Sequence, residues 1–369
     1  MSLQAAPESA PAAPGAPPPI LHDIASSSWE HPADRAALQT LKAIPAIDQV
    51  LEKCLGFFGE RGIRTLFQGS AVRVGPSQFP IIQRLFDETK ATLDWREDVE
   101  LFVSQHPLFN AGAYGVERPF IVLYTALVER LDEPELRVLL GHELGHIMSG
   151  HALYRTMLNL MLGVGSRHLP FLAGVAVLPI QHALREWART SELSCDRAGL
   201  LVAHHPDDAL RLLMKAAAGT LPGRHVLDVE AYKAQVADFE LLDGVDGAFK
   251  LLALLQNTHP FHSLRAAELL RWGASAEYQA IRRGEYRRRS EQPGWVNPMP
   301  DIGGAAEHYA QQAKHLASEL SSSTQKAAGQ ASTYARRVMG DALSAVRDTA
   351  AKLGARVADP EPKDDEPEG

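Results

Sequence analysis

His142-Glu143-Leu144-Gly145-His146 lies in an apolar run from Leu139 to Met148 that reads as helix. Residues four apart share a helix face, so both imidazoles can address one metal ion. Glu143 then stands beside that ion, where its carboxylate can take a proton from water. A second pattern, Glu192 followed by Asp196, begins 46 residues after His146 in another helix-compatible segment. A catalytic zinc takes three protein ligands and leaves one position for water. Glu192 is expected as the third ligand of a single zinc per chain. Asp196, one turn further on the same face, can accept the outer N–H of a ligand histidine and fix its tautomer. His151 falls five residues after His146. If the helix continues, that spacing rotates His151 well off the metal face, and it is read as a neighbour. Cys195 reads as a small buried thiol rather than a soft ligand.

These side chains need helices to hold them. Asp132-Glu133-Pro134-Glu135 opens the motif helix with acids at its positive end, and the apolar spacing carries it to about Tyr154. The segment 185–203 carries Glu192 and is expected to be helical. Ahead of them, helical spacing runs over 32–62 and 76–93, with a short extended stretch over 65–74. Alternation over 98–104 and the run 120–124 predict two strands joined by a loop through Asn110 and Gly115. Downstream, helices are expected over 209–218, 229–242, 248–255 and from 258 through Trp272. The expected fold class is therefore α+β, mainly α, with a small sheet beside the motif helix. The apolar runs 157–164 and 169–180 each fall short of the ~20 residues that span a bilayer. Buried core is the first reading there, with peripheral membrane contact second, and His168 and His182 as polar interruptions.

The chain has 369 residues, 45% of them hydrophobic, and a net charge of −8, which argues against a general nucleic-acid binder. Six acids against Lys363 in 359–369 account for much of that charge. Two cysteines, Cys54 and Cys195, make no disulfide framework. The first nineteen residues lack a basic and an apolar region, so no signal peptide is read and a cytoplasmic location, with possible membrane association, is the default. Composition divides the chain into a disordered Ala/Pro leader (1–28), a folded domain (29–290), a linker (291–304), an Ala-rich amphipathic helical tail (305–358) and an acidic disordered end (359–369). The tail's apolar stripe, from Met339 to Val357, offers a second surface for membrane contact. Five arginines in 282–289 read as a solvated basic face.

Asn110-Ala111-Gly112-Ala113, the runs 119–127, 139–151 and 192–199, and Thr258-His259-Pro260 occur in that order. Over roughly 33–270 they resemble the gluzincin zinc metallopeptidases of the CaaX-prenyl-protease and HtpX-type family, peptidase family M forty-eight. The resemblance implies a zincin-type domain with His142, His146 and Glu192 on the zinc and Glu143 as general base. It implies an edge strand before the zinc helix that pairs with an extended protein or peptide substrate, with Asn110, Ala111, Tyr114 and Gly115 along the cleft rim. His259 would hydrogen-bond the tetrahedral intermediate or take a fourth metal position in a latent state, and Arg265 would anchor its turn. Members often place a transmembrane pair in the interval 153–184, which is shortened here. The function so implied is a zinc-dependent metalloendopeptidase. The alternatives are a latent or chaperone-like zinc-binding module of the same fold, against which an intact Glu143 weighs, and a zinc hydrolase of another class.

Overall fold

The computed structural model describes residues 18–44, 47, 50, 61–62, 64–65, 68–115, 118–163, 177–219, 227–241 and 259–291. In chain order the elements are α1 (Pro32–Lys42), β1 (Ala71–Arg73), α2 (Pro80–Thr92), β2 (Glu100–Ser104), β3 (Ala111–Tyr114), β4 (Phe120–Tyr124) and α3 (Thr125–Val128). There follow α4 (Glu133–Met148), α5 (Ala152–Gly163), α6 (Val177–Val202), α7 (Pro206–Ala218), α8 (Val229–Glu240), α9 (His262–Gly273) and α10 (Ala276–Arg282). The described residues are mainly helical with one small four-stranded sheet. Apart from Leu241, the described residues fall in a compact unit made of Met1–Glu240 and Thr258–Val296. The helix expected over 248–255, the Ala-rich tail and the acidic end lie outside the described residues.

α4 starts where its sequence says it should. Asp132 accepts from the Glu135 amide while the Glu135 side chain accepts from the Asp132 amide, a reciprocal cap with Pro134 in the first turn. Every residue from Glu135 to Ile147 is buried, so α4 is a central helix rather than a surface one. It packs against α2, α6, α7 and β3. α6 crosses it closely because glycines face each other across the contact. A Cβ on Gly199 would stand 2.9 Å from the Val138 backbone oxygen, and one on Gly145 would stand 2.7 Å from the Ala198 Cβ.

The end of α4 differs from the expectation of a helix to Tyr154. The Gly150 amide bonds the Ile147 carbonyl, the His151 amide bonds the His146 carbonyl at 2.8 Å, and Gly150 has φ +70°. That is a left-handed glycine closure of the helix. α5 then starts afresh at Ala152, and His151 sits in the break. The sheet differs too. Its order is β1-β2-β4-β3, with β2 parallel to β4 and β3 antiparallel to β4. The stretch read as a loop through Asn110 is thus the edge strand β3, and the strand nearest the motif helix in sequence, β4, is interior. α2 begins at Pro80 rather than at 76, after a tight turn in which Gly75 and Gln78 pair. Of the stretch read as extended over 65–74, only Ala71–Arg73 is strand, and Gly69 closes a helical turn onto Thr65.

Two large apolar clusters lie in the described residues. One joins the sheet to α2, α4, the C-terminal part of α6, and α7 to α10. The other packs α1 with α5 and the N-terminal half of α6, through Leu41, Met157, Met161, Leu184 and Trp187. The apolar run that opens the interval 153–184 is therefore core, and no described helix is long and apolar enough to cross a membrane. His182 is exposed, and His168 lies outside the described residues.

Residues 18–28, read from composition as the end of a disordered leader, are packed into the domain. Leu21 and Ile24, with Trp29 just beyond, are at most 2% exposed, and these apolar anchors outweigh the polar composition around them. The arginines of 282–289 are likewise more than a solvated face. The Ala25 amide donates to the Arg287 carbonyl, the Arg289 amide to the Asp23 carbonyl, and Arg289 pairs with Asp23 and Asp94. Residues 23–25 and 287–289 thus clasp each other.

Candidate metal centre

His142 Nε2 and His146 Nε2 stand 3.2 Å apart on neighbouring turns of α4. From α6, Glu192 completes a triangle, with Oε2 3.4 Å from His142 Nε2 and Oε1 3.4 Å from His146 Nε2. All three side chains are buried. Two ring nitrogens and a carboxylate that converge in a buried site form the donor set of a divalent cation, and the residues present fit one. Glu143 lies one residue on, 3% exposed, and its Oε2 has no hydrogen-bond partner among the described residues. An orphaned carboxylate oxygen beside a metal-ligand set is where a reacting water would dock. Burial pushes the Glu143 carboxyl up from its usual range.

The outer ring nitrogens are engaged as well. His142 Nδ1 lies 3.1 Å from Asp196 Oδ1, and His146 Nδ1 lies 3.1 Å from His151 Nδ1. Both histidines thereby turn Nε2 inward. Arg265 clamps Asp196 from α9, with Nε 2.8 Å from Oδ2 and Nη2 2.6 Å from Oδ1, and reaches Glu192 at 3.4 Å. Its planar fork fits the carboxylate that faces His142.

Charge in the site is balanced inside it. Burial opposes a charge on His142, but Asp196 and Glu192 together outweigh it and raise the imidazole to about 9. Burial would also raise Glu192, yet Arg155, His259 and the two histidines hold it well below the carboxylate range. His146 goes the other way, lowered by burial and by Arg155. Arg155, from α5, had no signal in the motif. Its guanidinium donates to Glu192 and lies 3.1 Å from His146 Nε2. A metal on that nitrogen would take the lone pair that Arg155 faces.

The other expected residues fall around this centre. His259 Nε2 is 3.8 Å from Glu192 Oε1, on a side chain 41% exposed, and Thr258 lies outside the described residues. Ala111 and Tyr114 are in β3, with Asn110 and Gly115 flanking it. The Asn110 side chain folds back onto the Ala111 amide, and the Gly115 amide donates to Thr156 Oγ of α5. Cys195 is fully buried, and burial drives its thiol up. His151, read as a neighbour on a continuing helix, is instead brought under His146 by the break at Gly150. A glycine just past the second histidine was the available sign of that break.

The family model of peptidase family M48 matches residues 76–273. The chain belongs to this family. Over 280 residues it is 30% identical to the plastoglobule-localized metallopeptidase 48, chloroplastic, of Arabidopsis thaliana, across 75% of this chain and 81% of that protein. It is also 25% identical over 244 residues to a protease HtpX homolog of Moorella thermoacetica, across 58% of this chain and 79% of that one. No solved structure matches. Membership of the M48 family makes the protein a metallopeptidase, which acts on proteins or peptides, and all the residues of the buried triangle lie inside the matched span.

Proposed function

We propose that this M48 peptidase is a zinc-dependent endopeptidase, with His142, His146 and Glu192 holding one zinc ion and Glu143 as general base. The convergence of the two Nε2 atoms and the Glu192 carboxylate carries this reading. When bound, zinc would supply Lewis acidity, lowering the pKa of water and polarising a scissile carbonyl. Glu143 takes the proton of the attacking water and returns it to the leaving amine. Asp196, braced by Arg265, keeps His142 in the tautomer that offers Nε2. His259 is assigned to the developing oxyanion, where one donor is worth ~3 kcal/mol. Its place beside Glu192 supports that role.

An extended substrate would add to the edge strand β3 by main-chain hydrogen bonds, along Asn110, Ala111, Tyr114 and Gly115. Because Thr156 already holds the Gly115 amide, pairing is expected on the Asn110 side of that residue. Strand addition grips the middle of a chain and needs neither terminus, which favours endopeptidase over exopeptidase action. The test is the zinc-loaded full chain on casein, beside Glu143→Gln. The wild type should release internal fragments, read by mass spectrometry. The variant should hold as much zinc and lose about a thousandfold in rate. If both proteins hold zinc and neither cleaves, the reading as a latent or chaperone-like zinc module replaces this one.

A further inference from the structure

Asp34 belongs to α1, ahead of the span 76–273 that the family model matches, yet it reaches into the centre. It is 1% exposed. Its Oδ2 lies 3.1 Å from His151 Nε2 and accepts from Ser194 Oγ at 2.6 Å. His151, 2% exposed, faces His146 through its other nitrogen at 3.1 Å. We propose that Asp34 is a positioning residue for the metal ligand His146, acting through His151. This rests on the reading of His146 as a zinc ligand.

Proton bookkeeping leaves one consistent arrangement. A histidine that ligates through Nε2 keeps its proton on Nδ1. The His146 Nδ1–H can donate to His151 Nδ1 only if that atom carries a lone pair. The neutral His151 must then hold its proton on Nε2, and Asp34 Oδ2 is there to accept it. Without the carboxylate, the His151 Nε2 proton loses its acceptor and the opposite tautomer comes within reach, with an N–H that points at His146 and would turn its ring. The α4 closure at Gly150 supplies the backbone geometry, and the Asp34 carboxylate selects the proton order. Asp34 is itself fixed, since Ser194 Oγ also accepts from the His31 amide at 2.9 Å, and Trp29 is buried in the core. The histidine pair with Cys195 could hold a second ion instead, because Cys195 Sγ is 3.7 Å from His151 Nδ1. That would require His146 to give up both ring protons.

Outer partners of this kind change metal affinity by about 10- to 100-fold. The experiment is zinc affinity of the full chain by chelator competition, with the visible spectrum of the cobalt-substituted protein and metal stoichiometry read alongside. Asp34→Ala should weaken zinc by about 10- to 100-fold and shift the cobalt bands. Asp34→Asn, which keeps an oxygen acceptor, should recover part of the loss. Ser28→Ala removes a hydroxyl that bonds the Arg287 carbonyl, loosening the same N-terminal segment without touching Asp34 or His151, and should leave affinity unchanged. In a His151→Gln background, Asp34→Ala should add nothing, because the route is then already cut. If Asp34→Ala fails to fold, His151→Gln with unaltered affinity and spectrum overturns the proposal by itself, because the route through His151 then carries nothing. So does an Asp34→Ala loss that persists in full beside His151→Gln, or a wild type with two ions that falls to one in the variants. A wild type that binds no zinc would remove the metal-centre reading as well, which no behaviour of the variants alone would do.

Discussion

Asp196 serves two partners, and that double duty sets how the centre answers to pH. One oxygen faces His142 and both accept from Arg265, so the carboxylate is braced on one side and orients a ligand on the other. In the metal-free protein the same carboxylate, with Glu192, raises His142 to about 9 against the opposing effect of burial. A folded-state pKa above the unfolded value of ~6.5 means stability that is fully present below that value and lost as pH rises through the folded pKa. The metal-free protein is therefore expected to lose stability between about pH 6.5 and 9. Zinc takes neutral imidazole, so filling the site must expel this proton. Below about pH 9 the apparent zinc affinity should climb with pH, by up to about tenfold per unit from His142 alone. Chelator competition at pH 6, 7 and 8 measures the slope, and a flat profile would mean that His142 is already neutral before zinc arrives.

At the scale of elements, the site exists because α4 and α6 come close enough for Glu192 to meet two histidines of the other helix. A methyl on Gly199 would stand 2.9 Å from the Val138 carbonyl oxygen, backbone that cannot turn aside. Gly199→Ala should cost about 1–3 kcal/mol in urea unfolding and also weaken zinc binding, because it levers the helices apart. In α9 a methyl on Gly273 would make an ordinary 3.4 Å contact with a Leu200 side-chain carbon, and Gly273→Ala should be neutral or stabilising by up to about 1 kcal/mol. Equal effects of the two substitutions would show that helix propensity, not interhelical clearance, decides. What was legible in the sequence follows the range of the interaction. The cap at Asp132 and the His142–His146 face are written within a few residues, and both could be read. The α4 stop was also local, but the apolar spacing that resumes at Leu153 masked Gly150. β3 is four residues, mostly small, with every residue buried, so it offers no alternation to read. Arg155 and Asp34 come to the centre through tertiary packing from α5 and α1, and no spacing rule reports such a meeting.

The whole molecule is held partly by segments outside the family span. Residues 21–29 lay Leu21, Ile24 and Trp29 into the main core, and their backbone pairs with the stretch that carries Arg287 and Arg289. Residues 18–28 therefore belong to the packed domain, and Ser290 donates from both its amide and its hydroxyl to Asp23 across the same contact. Trp29 tests how firmly this segment is packed, since its side chain is fully buried. Burying a side chain of that size contributes only if its surroundings are packed domain. Trp29→Ala should then cost about 3–5 kcal/mol of unfolding free energy, with one cooperative transition seen by both fluorescence and circular dichroism. A loss below about 1 kcal/mol, the level of surface substitutions, would mean that the N-terminal segment is an appendage. The same measurement bears on the chemistry. α1 begins three residues after Trp29, and if the segment were an appendage, Asp34 could not be held firmly enough to set the proton on His151.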